Sequence, residues 1–214
     1  MILPLWYAIL FGIGIIAFIS IIIICTRRYP NYSILRRTIS GLGLPDYRSA
    51  KLFNPAMSLM GILLFPFPFY LIPALPPHWT TTIGIIAFIC NPIGLILLGL
   101  FPEHKETGHI IAAGLGMGGL IIANIFLIYP ILISDLSKII AVLTIITLFN
   151  CVPLAIAARK TLRTYVPDQP IDKLIFNLNL WEWSQFILLQ LWIVAIYINL
   201  LVLWSLLFLF NSSL

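Results

Sequence analysis

Six long runs of apolar residues, separated by short polar stretches, make up most of the chain. They lie at about 4–25, 54–75, 80–100, 109–130, 137–158 and 183–210. Each run reaches the roughly 20 residues that a helix needs to cross about 30 Å of hydrocarbon. Because a segment in lipid must satisfy its own backbone hydrogen bonds, we predict that all six runs are transmembrane helices. The predicted fold class is all-α, with residues 1–214 forming a single integral membrane bundle.

Charged residues avoid the apolar runs. They make up 9% of the 214 residues, against about 25% in a typical soluble domain. All nineteen of them, 12 basic and 7 acidic, lie in the windows 27–51, 103–106, 135–138 and 159–182. An ionisable group inside a membrane segment usually marks an ion or proton pathway. The absence of such groups from the predicted spans disfavours proton pumps, ion-coupled transporters and voltage sensors.

The basic residues are divided unequally between the two ends of the predicted bundle. The loops after spans 1, 3 and 5 hold eleven of the twelve lysines and arginines, and the opposite end has only Lys138. Cytoplasmic loops of membrane proteins carry an excess of lysine and arginine. We therefore predict a multi-pass protein of the cell membrane, with loops 26–53, 101–108 and 159–182 in the cytoplasm and both termini outside.

Two spans carry residues that modify a regular helix. Pro66 and Pro68 each remove a backbone donor in the second span, so we predict a kink or break there. The fourth span contains Gly114 and Gly118 in a G-x-x-x-G pattern, which lets helix backbones approach closely in lipid. We expect this span to sit centrally, packed on two neighbours through its small residues. Self-association through the same face is the alternative.

Five ionisable residues fall within the seven-residue stretch EHKETGH that begins at Glu103. One interpretation is a polar turn that caps span 4, since Glu103 and Glu106 would lie near a helix N-terminus, where negative charge is favoured. A second is a site for zinc or another cation, with His104 and His109 as candidate ligands and Glu103 and Asp46 as further ones. No metal is assigned from these residues, and the sequence identifies no cofactor.

The same stretch also allows acid–base chemistry. A histidine at the boundary between water and lipid can titrate near neutral pH. His109, oriented by Glu103, would then activate Ser40 or a water molecule as nucleophile. No G-x-S-x-G pattern supports such a role, so these three residues are catalytic candidates only.

The first loop is strongly basic and suits contact with lipid headgroups. Residues 26–54 contain six cations and a single acid, Asp46. Lysine and arginine clusters beside a span attract anionic lipids, and arginine suits phosphate. The segment 33–39 is a candidate short amphipathic helix. The predicted headgroup-binding residues are Arg36, Arg37, Ser40, Asn54, His104 and His109. A loop that only sets the topology is the alternative interpretation.

Several short motifs follow one another along the chain in an order that a known family shares. The stretch 30-PNYSILRRTISGLG-43 precedes span 2, 53-FN-54 opens that span, 101-FP-102 follows span 3, and His109 begins span 4. This arrangement resembles a prokaryotic six-span family catalogued as domain-of-unknown-function family 998. The matching positions are Tyr32, Ser33, Thr38, Ile39, Ser40, Leu42, Gly43, Phe53, Asn54, Phe101, Pro102 and His109.

The resemblance implies a role in lipid handling but no particular activity. The family more distantly resembles eukaryotic six-span proteins of the DRAM and GPI-anchor lipid-remodelling kind. The chain departs from the family at Gly41, where an aspartate is common, and in the length of loop 159–182. Family members usually place the motif loops outside the cell, whereas the basic residues here predict the opposite orientation, which we adopt.

We therefore expect a polytopic membrane protein that binds lipid headgroups or serves as an accessory subunit of a membrane complex. The expected partners are membrane lipids, mainly anionic ones, and a further membrane protein, but not nucleic acid. The alternative function is a membrane enzyme that modifies a lipid headgroup with a His/Glu/Ser site at one membrane face. A passive channel or carrier is the third hypothesis.

Overall fold

A computed structural model describes residues 3–164 and 177–211 of the chain. The helices are α1 Leu5–Arg28, α2 Ala50–Leu64, α3 Phe67–Leu71, α4 Trp79–Leu100, α5 Glu106–Ala113, α6 Gly119–Ile133, α7 Lys138–Thr164 and α8 Leu178–Asn211. A π-helical segment, Gly114–Gly118, joins α5 to α6. In the described part of the chain there is no strand, and six helical segments are long and apolar enough to cross a membrane. The prediction of an all-α, six-span membrane bundle is confirmed.

The boundaries of two spans differ from the prediction. The second crossing segment begins at Ala50 rather than near residue 54, and the sixth begins at Leu178 rather than near 183. Both helices continue past the apolar run into polar sequence, so Lys51 and Glu182 are helical residues. A prediction from hydropathy alone ends a span at its last apolar residue. The helix itself continues as long as its backbone is hydrogen-bonded. Residues 165–176 of the predicted loop 159–182 lie outside the described residues.

The helices pack in a closed ring. Contacts run from α1 to α2, α2 to α4, α4 to α6, α6 to α7 and α7 to α8. The ring closes where the Tyr197 hydroxyl of α8 donates to the Ala8 carbonyl of α1 at 2.8 Å. Trp192 is fully buried at the centre, with its ring centroid 5.5 Å from that of Phe88. The indole therefore packs between helices that are far apart in sequence.

The loops after spans 1 and 3 meet the start of α8 at one end of the bundle, here called the loop face (residues 29–49, 101–105 and 177). The Thr38 hydroxyl donates to Glu103 Oε2 at 3.1 Å. Asn177 Nδ2 donates to the Leu35 carbonyl at 2.9 Å. The polar motifs that are distant in sequence are thus brought to one place.

The second span is broken where the prolines predict it. Helix α2 ends at Leu64, and α3 begins at Phe67, after a turn that contains Pro66. The Tyr7 hydroxyl of α1 donates to the carbonyl of Leu63 at 2.8 Å, just before the break. A neighbouring helix therefore satisfies a backbone acceptor beside the break, as a membrane interior requires.

The expectation that Gly114 and Gly118 pack against neighbouring helices inside the bundle is wrong, and self-association through these glycines stays a prediction. A Cβ added at Gly114 or Gly118 would meet nothing within 4 Å. The close contact instead joins Gly116 to Gly94 of α4, where a Cβ on Gly94 would overlap the Gly116 backbone. The π-helical turn changes the number of residues per turn, so the helical spacing does not identify which glycines face α4. The span does pack on two neighbours, α4 and α7.

Gly94→Ala should destabilise the protein by about 1–3 kcal/mol, because the added Cβ would overlap the Gly116 backbone and lie 2.7 Å from the Ala112 carbonyl oxygen. Gly118→Ala is the matched control, since it adds the same atom in open space and alanine favours a helix. Thermal unfolding of the purified protein in detergent measures both variants. Equal unfolding temperatures would contradict the close packing of α4.

Candidate functional site

A cavity of about 320 Å³ extends from the loop face into the bundle between α2, α4, α5 and α8. Its polar lining side chains are Thr38, Ser40, Asn54, Asn91, Glu103, His109, Glu182 and Gln190. Its walls include Phe53, Met57, Leu95, Leu98, Met117, Leu120, Leu154, Phe186 and Leu189. The polar groups of the loops stand at one end, and the helices beyond them contribute mainly apolar side chains together with the amides Asn91 and Gln190.

The first-loop turn holds Glu103 at the entrance of the cavity. The Thr38 hydroxyl donates to Glu103 Oε2 at 3.1 Å and accepts from the Gly41 backbone N–H at 3.0 Å. A Cβ at position 41 would lie 3.6 Å from the same Glu103 oxygen. The resemblance leads us to expect an aspartate at position 41. Its carboxyl group would lie beside that of Glu103, and glycine leaves this space open.

Glu182 of α8 is the second acid at the entrance. Its carboxyl group lies close to the backbone of Ile39 and Ser40 and within electrostatic range of Glu103. Among the described residues the cavity lining contains no lysine or arginine. Glu103 and Glu182, here called the acidic entrance, thus face one cavity with no cationic side chain in its described lining.

Tyr32 fixes the first loop to α8. Its hydroxyl donates to the Thr38 carbonyl at 2.9 Å and accepts from Trp183 Nε1 at 2.8 Å. Burial raises the pKa of Tyr32 above its ordinary value, so the hydroxyl keeps its proton at any physiological pH. The predicted amphipathic helix at 33–39 is wrong, because this segment is a turn that places Thr38 over the cavity.

His109 lines the cavity at the beginning of α5. Its Nδ1 atom lies 2.9 Å from the Phe101 carbonyl oxygen. A carbonyl oxygen can only accept, so Nδ1 carries the hydrogen of this bond and Nε2 is left available as an acceptor in the neutral ring. Ser40 also lines the cavity, but no hydrogen bond joins Ser40 or Glu103 to His109 in the described part of the chain. The residues share a cavity without forming a nucleophile–base pair.

The predicted site residues divide into two groups. Those that line the cavity are Ser40, Asn54, Glu103 and His109. Arg36, Arg37 and His104 are exposed on the loop face and do not line it. Asp46 is also exposed, and no three His, Cys, Asp or Glu side chains converge as metal ligands among the described residues. His104 and His109 remain metal candidates from the sequence alone.

Four polar residues of the cavity lining were not among the predicted site residues: Thr38, Asn91, Glu182 and Gln190. Glu182 was assigned to a loop, although an acid next to two tryptophans at the start of a span is a detectable signal. Asn91 and Gln190 are amides within spans, where such groups usually bridge helices. Asn91 does so, because its Nδ2 donates to the Gly116 carbonyl at 2.8 Å. Its position in the cavity wall depends on packing that the sequence does not display.

The fold and the cavity define a multi-pass membrane protein with an internal cavity at one end of the bundle. Residues 12–199 match a family described as Protein of unknown function (DUF998). The match covers most of the chain, so the chain belongs to this family, and the resemblance noted in the sequence is confirmed. No curated protein and no solved structure matches the chain.

Tyr32→Phe should lower the free energy of unfolding by about 1–3 kcal/mol, because it leaves the Thr38 carbonyl and the Trp183 indole N–H without their shared partner. Tyr129→Phe is the control, since this side chain is 48% exposed. Chemical or thermal unfolding in detergent compares the two variants. An unchanged stability of Tyr32→Phe would show that the hydroxyl does not hold the loop against α8.

Proposed function

We propose that the protein binds a membrane lipid in this cavity, with the headgroup at the loop face and an acyl chain between the helices. The observation that carries the proposal is the change of lining along the cavity, from the polar residues Ser40 and Glu103 to apolar ones such as Met57 and Leu189. Small-molecule sites typically combine apolar walls with a few placed polar groups. An amphiphile matches a lining that is polar at the loop face and mainly apolar along the helices, where Asn91 and Gln190 add two amides.

The opposite half of the bundle supports lipid binding over a passive channel. Phe11 and Phe67 are fully buried and stack with their ring centroids 4.7 Å apart. Phe88, also fully buried, packs on Phe67 with centroids 6.1 Å apart. These three rings fill the space between α1, α3 and α4 with apolar groups, which supports a ligand-binding cavity over a continuous polar channel.

Ala113→Trp should displace the bound lipid, because Ala113 lines the cavity and an indole would occupy its volume. Ile110→Trp is the matched control on the same helix, since Ile110 is 70% exposed on the outer surface. Native mass spectrometry of the gently solubilised protein measures the fraction that carries one lipid. We expect this fraction to fall roughly tenfold in Ala113→Trp and to remain at the wild-type value in Ile110→Trp.

Equal lipid retention by the two variants, both with cooperative thermal unfolding, would overturn the proposed function. The bound lipid would then lie on the outer surface of the helices rather than inside the bundle. Loss of lipid from both variants would overturn it as well, because the cavity would then have no special role in retention.

We also propose how the protein is oriented in the membrane and which molecules contact its loop face. The exposed Arg36 and Arg37 stand on the loop face, where they are suited to attract anionic headgroups and the acidic surface of a membrane-protein partner. We propose that this face is cytoplasmic, in line with the excess of basic residues in its loops. Such surface contacts hold lipids near the entrance of the cavity.

A cysteine-labelling experiment in intact cells tests the orientation. With Cys25, Cys90 and Cys151 replaced by alanine, a membrane-impermeant maleimide should label Asp135→Cys and leave Thr107→Cys unlabelled until the cells are opened. Both positions are exposed, at opposite ends of the bundle. The reverse pattern would place the loop face outside, as the family resemblance suggests.

The alternative function, a headgroup-modifying enzyme, is supported by the shared position of Ser40, Glu103 and His109 in the cavity lining. The free Nε2 of His109 would act as the base in such a reaction. Mass spectrometry of lipids incubated with the protein decides between the functions. A change in lipid mass that disappears in His109→Ala would favour the enzyme, and unchanged lipids would favour binding.

A further inference from the structure

The cavity ends at a pair of aromatic side chains between α4 and α8. Counted from the loop face, the deepest lining residues are Asn91 on α4 and Gln190 on α8. Phe88 lies about one helical turn beyond Asn91, and Trp192 lies just beyond Gln190. Both side chains are fully buried, and their ring centroids are 5.5 Å apart. This pair, here called the aromatic floor, closes the space between the two helices.

Neighbouring helices hold the aromatic floor in place. Trp192 Nε1 donates to Thr144 Oγ1 of α7 at 2.8 Å. Phe88 packs against Phe67 of α3 with ring centroids 6.1 Å apart. An indole that turned aside would leave its N–H without a partner in an apolar environment, which is costly. The floor is therefore a fixed boundary for anything that occupies the cavity.

The depth of the cavity above this floor limits the length of a bound chain. Gln190 follows Glu182 of the acidic entrance by eight residues of α8, which is about 12 Å at a rise of about 1.5 Å per residue. An extended peptide advances roughly 1.2 Å per covalent bond, since a residue of three bonds spans at most about 3.6 Å. An extended hydrocarbon chain of about ten bonds therefore covers the depth of the cavity.

The volume of the cavity gives a similar limit. An apolar cavity of about 150 Å³ takes up benzene, which has six carbon atoms, so a cavity of about 320 Å³ accommodates roughly thirteen carbons. A bilayer phospholipid has two chains, and each is long enough to span half of a hydrocarbon core about 30 Å thick. The cavity thus has room for one chain and not for two.

We propose that the cavity binds a lipid with a single acyl chain of about ten to thirteen carbons, whose end lies against the aromatic floor. This inference rests on the proposed lipid binding and deepens it, because it adds the number and the length of the chains. Detergent and bilayer are apolar as well, so the preference depends on how the chain fills the cavity. A shorter chain leaves a void and loses contacts, and a longer chain does not fit above the floor.

The test is a competition among lipids that share one headgroup. Full-length protein in detergent is incubated with an equimolar mixture of lysophosphatidylcholines with saturated chains of eight to eighteen carbons. Native mass spectrometry compares the bound chains with the composition of the micelles. We expect the twelve-carbon chain to be enriched roughly fivefold or more over both ends of the series. Phosphatidylcholine with two twelve-carbon chains should bind roughly fivefold less than its single-chain counterpart.

Gln190→Trp should shift the preference toward shorter chains by about two carbons, because the indole occupies the deep end of the cavity. Gln190 makes no hydrogen bond within the described part of the chain, so the substitution removes no such contact there. Leu191→Trp is the matched control, since Leu191 is the next residue of α8 and is 48% exposed. It should keep the wild-type preference.

Phe88→Leu should shift the preference in the opposite direction, toward chains about two carbons longer, because it removes part of the aromatic floor. Phe149→Leu makes the same change at a side chain that is 73% exposed, and it should keep the wild-type preference. A general loss of stability would lower the binding of every chain. It would not move the preference in opposite directions in the two variants.

Three outcomes would overturn the inference. One is equal enrichment of all chain lengths in the wild type, another is a preference that neither Gln190→Trp nor Phe88→Leu moves, and the third is equal binding of the one-chain and two-chain lipids. The proposed function fails separately. If Ala113→Trp binds every chain as the wild type does, no lipid enters the cavity. If Ala113→Trp weakens all chains and the wild type does not distinguish them, lipid binding stands and only the inferred chain is wrong.

Discussion

The close approach of α4 to the π-helical segment Gly114–Gly118 is the constraint on which the site depends. Gly94 leaves room for the Gly116 backbone, and Asn91 donates to the Gly116 carbonyl. In lipid no hydrophobic force drives helices together, so small residues and interhelical hydrogen bonds must hold them. Because this contact fixes the position of α5 and α6 against α4, it also fixes the wall in which Ala113 and Met117 line the cavity.

The loop face is ordered by polar contacts made from several directions. Tyr32 connects the first loop to Trp183 of α8, and Thr38 connects it to Glu103 of the loop after α4. The backbone of the same turn lies near Glu182. The Thr38 hydroxyl is used within the protein, whereas the Ser40 hydroxyl lines the cavity without a hydrogen bond among the described residues. A ligand at this end therefore meets carboxyl oxygens, which accept hydrogen bonds, and a serine hydroxyl, which both donates and accepts.

The fold was largely predictable from the sequence, since apolar runs of membrane-spanning length leave little alternative to helices. The break at Pro66 was also predictable, because it follows from a missing donor in one residue. The glycines that contact each other, Gly94 and Gly116, were not predictable. A π-helical turn changes which residues of the helix face α4, and hydropathy does not indicate where such a turn occurs. Glu182 was assigned to a loop because span ends were placed where the apolar residues stop.

The arginines and the acids of the loop face show most clearly why the cavity lining could not be predicted from the sequence alone. The sequence presents Arg36, Arg37 and Glu103 as parts of one basic membrane surface, because a charge count does not record which way a side chain points. The turn that follows Arg37 directs Thr38 to Glu103, while both arginines remain exposed. The two arginines are thus exposed to solvent and Glu103 lines the cavity, although Arg37 is adjacent in the chain to Thr38, the hydrogen-bond partner of Glu103. Glu103 and Glu182 line the cavity and would contact a bound ligand directly, whereas Arg36 and Arg37 are exposed outside its described lining, where solvent and salt screen them.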